Sequence, residues 1–144
     1  VLVADGIEKP GNIGAILRTC DALGASFLGS SLGTDLVNPN VIRAAQGSLF
    51  SVPTASVDVG TAVAWCKDNT SIVVTRPTDS VSMWDLDLTG PVAIVIGAED
   101  AGAGSAWDHI GTGATIPMVG SADSLNASVT AAVLLAEAAR QRSG

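Results

Sequence analysis

The chain has 144 residues, of which 47% are hydrophobic and 15% are charged, and its formal net charge is −7. This length fits one domain, and the apolar content argues against a disordered chain. Two cysteines are too few for a disulfide framework, one histidine argues against a metal site, and no apolar run reaches the roughly 20 residues that a membrane span needs. A cytoplasmic protein is therefore expected.

Strand-like and helix-like segments alternate along the chain. In the first half, the pattern predicts a strand at Val1–Ala4, a helix at Asn12–Leu23, a strand at Ala25–Leu28, a short helix at Pro39–Ala45, a strand at Leu49–Pro53 and a helix at Val57–Asp68. In the second half, it predicts strands at Ser71–Thr75, Val92–Ile96 and Ala114–Pro117, with helices at Ala103–His109 and Asn126–Arg142. This alternation predicts an α/β fold with a mostly parallel sheet and helices on both faces.

The first motif is Lys9–Thr19, which reads Lys-Pro-Gly-Asn-Ile-Gly-Ala-Ile-Leu-Arg-Thr. Asn12 occupies a position typical of a helix cap, and Gly14 allows another backbone to approach closely. Arg18 follows about two turns later in an otherwise apolar stripe, which predicts a guanidinium that points into a cleft. A capped helix with a surface arginine explains the same pattern equally well.

The second motif is the apolar run Val92–Ile96 followed by Gly-Ala-Glu-Asp-Ala-Gly. We expect the Gly97 backbone to face a ligand, and a buried Glu99 to orient Asn12 or Arg18 as a carboxylate. The alternative is a tight turn in which Glu99 caps the next helix. No Gly-x-Gly-x-x-Gly follows the first strand, which argues against an ordinary dinucleotide site.

The third motif, Ile116–Ser128, joins a strand end to an alanine-rich helix through a polar loop. Ser124 or Asn126 is placed to cap that helix. Arg76, directly after the predicted strand Ser71–Thr75, lies at the carboxyl end of a strand and is only a secondary candidate for the same cleft.

In this order and spacing, the three segments resemble the motifs of the SpoU/TrmH branch of the SPOUT RNA methyltransferases, and the likeness extends from Val1 to Arg142. The resemblance implies transfer of a methyl group from S-adenosyl-L-methionine to the 2′-hydroxyl of a ribose in RNA, without a metal. It favours ribosomal RNA, in a group that includes antibiotic-resistance enzymes, and leaves transfer RNA open. It also implies a homodimer with a shared active site and a C-terminal deep trefoil knot, which composition or periodicity would never predict.

The resemblance also implies residue roles. It assigns the catalytic site to Asn12, Arg18, Glu99, Ser124 and Asn126. It assigns cofactor binding to Gly97, Ile116, Met118 and Leu125. Arg18 would bind a phosphate and stabilise the 2′-alkoxide, and whether it also accepts the proton stays open because guanidinium holds its own proton.

RNA binding is harder to reconcile with a net charge of −7. Arg43 is a candidate RNA contact, although an exposed helix charge explains it equally well. We expect both that the basic residues share one face and that another segment helps to hold the RNA. Because members of the family often carry an N-terminal RNA-recognition domain and Val1 begins inside a predicted strand, we expect residues 1–144 to be the catalytic domain and such a domain to be missing upstream.

The sequence is also compatible with two alternative functions. A SPOUT enzyme that methylates a base would share the fold and the cofactor, but its motifs differ from those around Asn12 and Asn126. A noncatalytic RNA-binding module could keep the fold without turnover. The retention of every polar motif residue argues against that module.

Overall fold

The computed structural model describes residues 1–144. Its strands are β1 Leu2–Asp5, β2 Phe27–Ser30, β3 Thr54–Val57, β4 Ser71–Thr75, β5 Val81–Ser82, β6 Val92–Ile96 and β7 Thr112–Thr115. Its α-helices are α1 Pro10–Leu23, α2 Pro39–Ala45, α3 Val59–Asn69 and α4 Ala127–Ser143. Short 3₁₀ turns occur at Ser48–Phe50, Met83–Asp85 and Ser105–Trp107.

The strands form one seven-stranded sheet in the order β3-β2-β1-β6-β4-β7-β5. Every strand pair is parallel, so all the carboxyl ends lie at the same edge of the sheet. Residues of α1 and α4 pack in the larger apolar core on one face, and residues of α3 pack in the smaller core on the other. The predicted α/β fold with a mostly parallel sheet and helices on both faces is confirmed.

The most apolar strands follow the prediction residue for residue. Ser71–Thr75 and Val92–Ile96 are strands β4 and β6, and β6 is buried at all of its positions. The predicted strand at Leu49–Pro53 is wrong, because a 3₁₀ turn occupies Ser48–Phe50 and the strand follows at Thr54–Val57. This edge strand has exposed Ala55 and Ser56 at its centre, so it lacks the apolar run that marks a buried strand.

Smaller differences occur near the loops. The segment predicted as helix Ala103–His109 contains only a 3₁₀ turn at Ser105–Trp107, and the two-residue edge strand β5 was not predicted. The strand before the third motif ends at Thr115, which leaves Ile116 and Pro117 in the loop.

The start of α1 corrects one prediction and confirms another. The helix begins at Pro10 and its N-cap is Lys9, so Asn12 lies inside the first turn and is not a cap. A Cβ on Gly14 would lie 2.4 Å from the Ala44 Cβ of α2, so this glycine does allow the two helices to approach closely. The close approach fixes α2 against α1 near the site described below.

The end of α4 is held by a polar network. Gln141 donates to the Leu86 carbonyl and accepts from the Leu88 N–H, while Arg142 donates to the carbonyls of Leu88 and Gly90. The segment between β5 and β6 is therefore attached to the last helix. None of the α-helices combines the length and the apolar character that a membrane-spanning helix requires.

Candidate active site at the carboxyl ends of β4, β6 and β7

A cavity of about 580 Å³ lies where the strands β4, β6 and β7 end. Carboxyl ends of adjacent parallel strands are the usual ligand position in an open α/β sheet. The four residues predicted to bind the cofactor all line this cavity: Gly97, Ile116, Met118 and Leu125. Two residues predicted to be catalytic, Glu99 and Ser124, line it as well.

The wall next to β6 is a loop that folds back on itself. The Gly102 N–H donates to the Ala98 carbonyl at 2.8 Å, and Gly102 has φ +68°. A Cβ on Gly97 would lie 1.9 Å from the Ala103 nitrogen, so only glycine fits the base of this loop. The requirement for glycine at position 97 therefore arises from the packing of the loop against itself.

Three side chains from the three motifs meet at the edge of the cavity. Glu99 Oε1 accepts a hydrogen bond from Asn12 Nδ2 at 3.1 Å and another from Asn126 Nδ2 at 2.6 Å. Asn126 Nδ2 also lies 3.2 Å from Asn12 Oδ1. The residues are far apart in the chain, so the fold itself assembles this cluster, which we call the amide–carboxylate cluster (Asn12, Glu99 and Asn126).

The orientation of Asn126 follows from its second role. Its Oδ1 accepts from the Ser128 N–H at 2.9 Å and from the Ser128 hydroxyl at 2.6 Å, which makes it the N-cap of α4. With the oxygen engaged at the helix terminus, the amide nitrogen points toward Glu99. The predicted cap at Asn126 is confirmed. The oxygen of its side-chain amide caps the helix, and the nitrogen of the same amide donates to Glu99.

Glu99 differs from the expected buried glutamate beside an arginine. Its side chain is 29% exposed, and its cationic neighbour is Lys9, whose Nζ lies 3.6 Å from Oε2. The hydrogen bond from Asn12, together with the charge of Lys9, lowers the pKa of Glu99 below its ordinary value. Glu99 therefore stays a carboxylate, held mainly by neutral amide donors.

Arg18 does not point into the cavity of the single chain. It is exposed on α1 and is absent from the cavity lining. The six residues from Asn12 to Arg18 advance about 600° around the helix, which leaves Arg18 about 120° from Asn12. The expectation of a cleft-facing guanidinium is wrong for one protomer.

The remaining predicted residues lie at the periphery. Ser124 is exposed on the cavity wall, in the loop that leads to the cluster. Arg43 is exposed on α2, where its guanidinium donates to the Asn40 side-chain oxygen. Neither side chain is hydrogen-bonded to the amide–carboxylate cluster.

The cavity also has residues that the sequence did not single out. Thr75, Asp123 and Thr130 line it. Thr75 ends β4, so its position at the carboxyl end of a predicted strand was the available signal. Asp123 and Thr130 carry no such signal, because their placement depends on the path of the third motif.

The charge of the cavity lining is mostly negative. Glu99, Asp100 and Asp123 contribute carboxylates, and Arg76 is the cation among the lining residues. Arg76, a secondary candidate for the cleft, donates to the Trp107 and Ile110 carbonyls. The cavity thus offers a negative potential together with an apolar wall, a combination that fits a cationic ligand with an apolar part.

Comparison with known proteins agrees with this geometry. The sequence profile of the SpoU rRNA Methylase family matches residues 1–136. The 23S rRNA (uridine(2479)-2′-O)-methyltransferase of Streptomyces viridochromogenes is 38% identical over 147 aligned positions, which cover 96% of this chain and 51% of the relative. The chain therefore spans about half the length of that relative.

Two solved structures are also similar. A structure described as an RNA 2′-O ribose methyltransferase superposes with a TM-score of 0.91 at 45% identity, covering 99% of this chain and 56% of that one. The SpoU methyltransferase AviRb from Streptomyces viridochromogenes, in complex with the cofactor AdoMet, gives a TM-score of 0.91 at 37% identity, covering 99% and 57%. With a matching profile over most of its length, the chain belongs to the SpoU rRNA methylase family.

Proposed function

We propose that residues 1–144 form the catalytic domain of an RNA ribose 2′-O-methyltransferase that uses S-adenosyl-L-methionine. The observation that carries the proposal is the amide–carboxylate cluster at the edge of the cavity, because it joins one polar residue from each of the three motifs. The names of the similar proteins, which describe ribose 2′-O-methylation and a complex with AdoMet, support the same chemistry.

The cavity fits the proposed methyl donor. Gly97, Ile116, Met118 and Leu125 would hold its adenosine part against backbone and apolar side chains. The carboxylates of Asp100 and Asp123 would favour its positive charge. When bound, S-adenosyl-L-methionine supplies a methyl group on a sulfonium, which is electrophilic enough to need no metal.

The cluster residues position the reaction. Glu99, held as a carboxylate by two amides, fixes the side chains of Asn12 and Asn126 at the edge of the donor cavity. Ser124 is exposed on the adjoining wall, in the loop between β7 and α4 that leads to Asn126, and it would contact the RNA. Fixed dipoles around the ribose 2′-oxygen would lower the barrier to methyl transfer, because they align the oxygen with the methyl group and stabilise the charge that develops on it.

Arg18 would supply the positive charge that stabilises the 2′-alkoxide. Because Arg18 is exposed on α1, this role requires that its side chain reach a cavity other than that of its own protomer. In one protomer it does not line the cavity. We therefore propose a homodimer in which Arg18 of one protomer serves the cavity of its partner. The exposed Val129 and Ala136 of α4, which packs beside α1, favour these two helices as the dimer face.

RNA is proposed to approach over α1 and α2. Arg18 and Arg43 are both exposed, and the close contact at Gly14 joins their helices. Ribosomal RNA is the favoured substrate and transfer RNA the second candidate, which would place the activity in the cytoplasm. Because this chain is strongly acidic, we propose that a further N-terminal domain provides part of the RNA affinity.

We also propose that the third motif forms a deep trefoil knot. The chain leaves β7, which lies beyond β4, and returns to pack α4 against α1 and β6. Both ends of the loop after β7 (residues 116–118 and 123–125) and the segment after β4, at Arg76 and Pro77, line the same cavity. This return path supports a threaded loop that would hold the donor site together.

The proposal is tested by incubating the full-length protein with ribosomal RNA and methyl-labelled S-adenosyl-L-methionine. A 2′-O-methyl group blocks alkaline cleavage of the next phosphodiester, so we expect the label in alkali-resistant dinucleotides. Label in single nucleotides would instead indicate base methylation. Binding of RNA without any transfer of label would indicate a noncatalytic module.

A further inference from the structure

The loop between β6 and β7, residues 97–111, carries both the cavity wall and Glu99. It folds back through the Gly102–Ala98 hydrogen bond, and Gly97 packs directly under Gly102 and Ala103. The position of Glu99 relative to the two amides therefore depends on what holds this loop to the sheet.

Asp5 contacts this loop from the carboxyl end of β1. Its side chain is buried, with 4% of the residue exposed. Its Oδ2 accepts the Gly104 N–H at 2.7 Å, and its Oδ1 accepts the Ser30 hydroxyl of β2 at 2.7 Å. The carboxylate thus joins the adjacent strands β1 and β2 to the backbone of the loop.

A buried carboxylate is costly unless hydrogen bonds compensate it, and bonds to a charged acceptor are stronger than those between neutral groups. Each oxygen of Asp5 has one short donor, and one of these donors belongs to the loop. A Cβ on Gly104 would lie 3.2 Å from Oδ2, so the loop packs closely on this oxygen. The attachment point lies five residues beyond Glu99.

We infer that Asp5 is a positioning residue for the methyltransferase site: it holds the 97–111 loop so that Glu99 meets Asn12 and Asn126 and the cavity wall keeps its shape. This inference rests on the proposed function. Asp5 does not line the cavity and acts through the Gly104 N–H alone.

Two substitutions of Asp5 should have different effects, because only one of them keeps an acceptor for the Gly104 N–H. Asp5→Asn keeps an oxygen that accepts the Gly104 N–H, and its amide nitrogen can donate to the Ser30 hydroxyl oxygen. Asp5→Ala removes both bonds. Ser30→Ala is the matched control, because it removes a bond to the same carboxylate without touching the loop. Asp5→Val/Ser30→Ala replaces the polar pair by apolar groups that suit a strand, and it keeps the test usable if Asp5→Ala does not fold.

Two readouts are measured on the full-length protein. Amide hydrogen exchange reports residues 97–104 without any ligand, and calorimetry reports the dissociation constant of S-adenosyl-L-methionine. We expect Asp5→Ala and the double variant to exchange faster in this segment and to bind about tenfold more weakly, as expected for loss of a hydrogen bond to a charged group. Asp5→Asn and Ser30→Ala should stay within about threefold of the wild type.

The inference is overturned if the folded Asp5 variants keep wild-type exchange in residues 97–104 and wild-type affinity. It is also overturned if Ser30→Ala weakens binding as much as Asp5→Ala, because Asp5 would then act only through general stability. If the wild-type protein binds no S-adenosyl-L-methionine, the proposed function fails. Hydrogen exchange still decides whether Asp5 holds the loop.

Discussion

The side-chain nitrogen of Asn126 donates to Glu99 Oε1 at 2.6 Å, while the oxygen of the same amide caps α4. This relationship connects the start of the last helix with the loop after β6. Asn12 completes the cluster from the first turn of α1. Elements that are distant in sequence are thus joined at one edge of the cavity.

Glu99→Gln should reduce methyl transfer by about 10- to 100-fold, because hydrogen bonds to a charged group contribute roughly 1.5–3 kcal/mol. The glutamine replaces one acceptor oxygen by a donor and leaves the two asparagine amides less firmly oriented. Initial rates with labelled donor measure the effect. Asp108→Asn removes a carboxyl from an exposed position outside the cavity lining and should keep the wild-type rate. Equal rates for all three proteins would remove Glu99 from the site.

Gly97→Ala should weaken the binding of S-adenosyl-L-methionine by at least about tenfold and destabilise the protein by roughly 1–3 kcal/mol, as for an overpacked site. The added Cβ would lie 1.9 Å from the Ala103 nitrogen, so the loop must move. Calorimetry and urea unfolding measure the two effects. Gly90→Ala, where a Cβ meets nothing within 4 Å, is the matched control. Unchanged affinity in Gly97→Ala would contradict the assigned wall.

Gly14→Ala should destabilise the fold by roughly 1–3 kcal/mol, because the new Cβ would lie 2.4 Å from the Ala44 Cβ of α2. Gly11→Ala changes the same helix where nothing lies within 4 Å. That control should be neutral or should raise stability by up to about 1 kcal/mol through helix propensity. Urea unfolding compares the two, and equal stabilities would show that α1 and α2 are not closely packed.

Acid should weaken the fold through Glu137. Hydrogen bonds from Arg140 and then Gln141 lower its pKa from the ordinary 4.5 to about 2. The stabilisation is therefore fully present above about pH 4.5 and is lost as the pH falls toward about 2. Glu137→Gln should be less stable than the wild type at neutral pH and should approach it in acid. Urea unfolding across this range tests it, with Glu8→Gln as an exposed control, and parallel curves for wild type and Glu137→Gln would refute the assignment.

Mixed dimers test the role of Arg18. Arg18→Ala should be nearly inactive alone, and Glu99→Gln should keep only about a tenth to a hundredth of the wild-type activity. If Arg18 serves the partner's cavity, co-expression should restore about a quarter of the wild-type activity, because about half of the dimers are mixed and one of their two sites is intact. If mixtures gain nothing over the single variants, Arg18 acts within its own protomer or not at all.

The sequence was most informative where one physical factor dominated. The apolar run of β6 and the cap at Asn126 were readable because burial and capping act locally. The polar edge strand β3 could not be predicted from the sequence, because its pairing with the neighbouring strand β2 determines where it lies. The position of Arg18 outside the cavity of its own protomer was not predicted either, since the register of a helix against its surroundings depends on packing that a motif does not contain.

The cavity could be predicted in part for a similar reason. Gly97 and Leu125 lie in segments whose strand–loop pattern already pointed to a ligand. The hydrogen bonds of the amide–carboxylate cluster and the engagement of Arg76 by backbone carbonyls depend on the strand order, which places β4 between β6 and β7.

The most direct test of the central claim is a map of ribose 2′-O-methylation on total RNA from cells with and without the full-length protein. The proposed function predicts a site, most simply in ribosomal RNA, that is methylated only when the protein is present and is lost in Glu99→Gln. Identical ribose methylation in both cells, or a protein-dependent methyl group on a base, would contradict it.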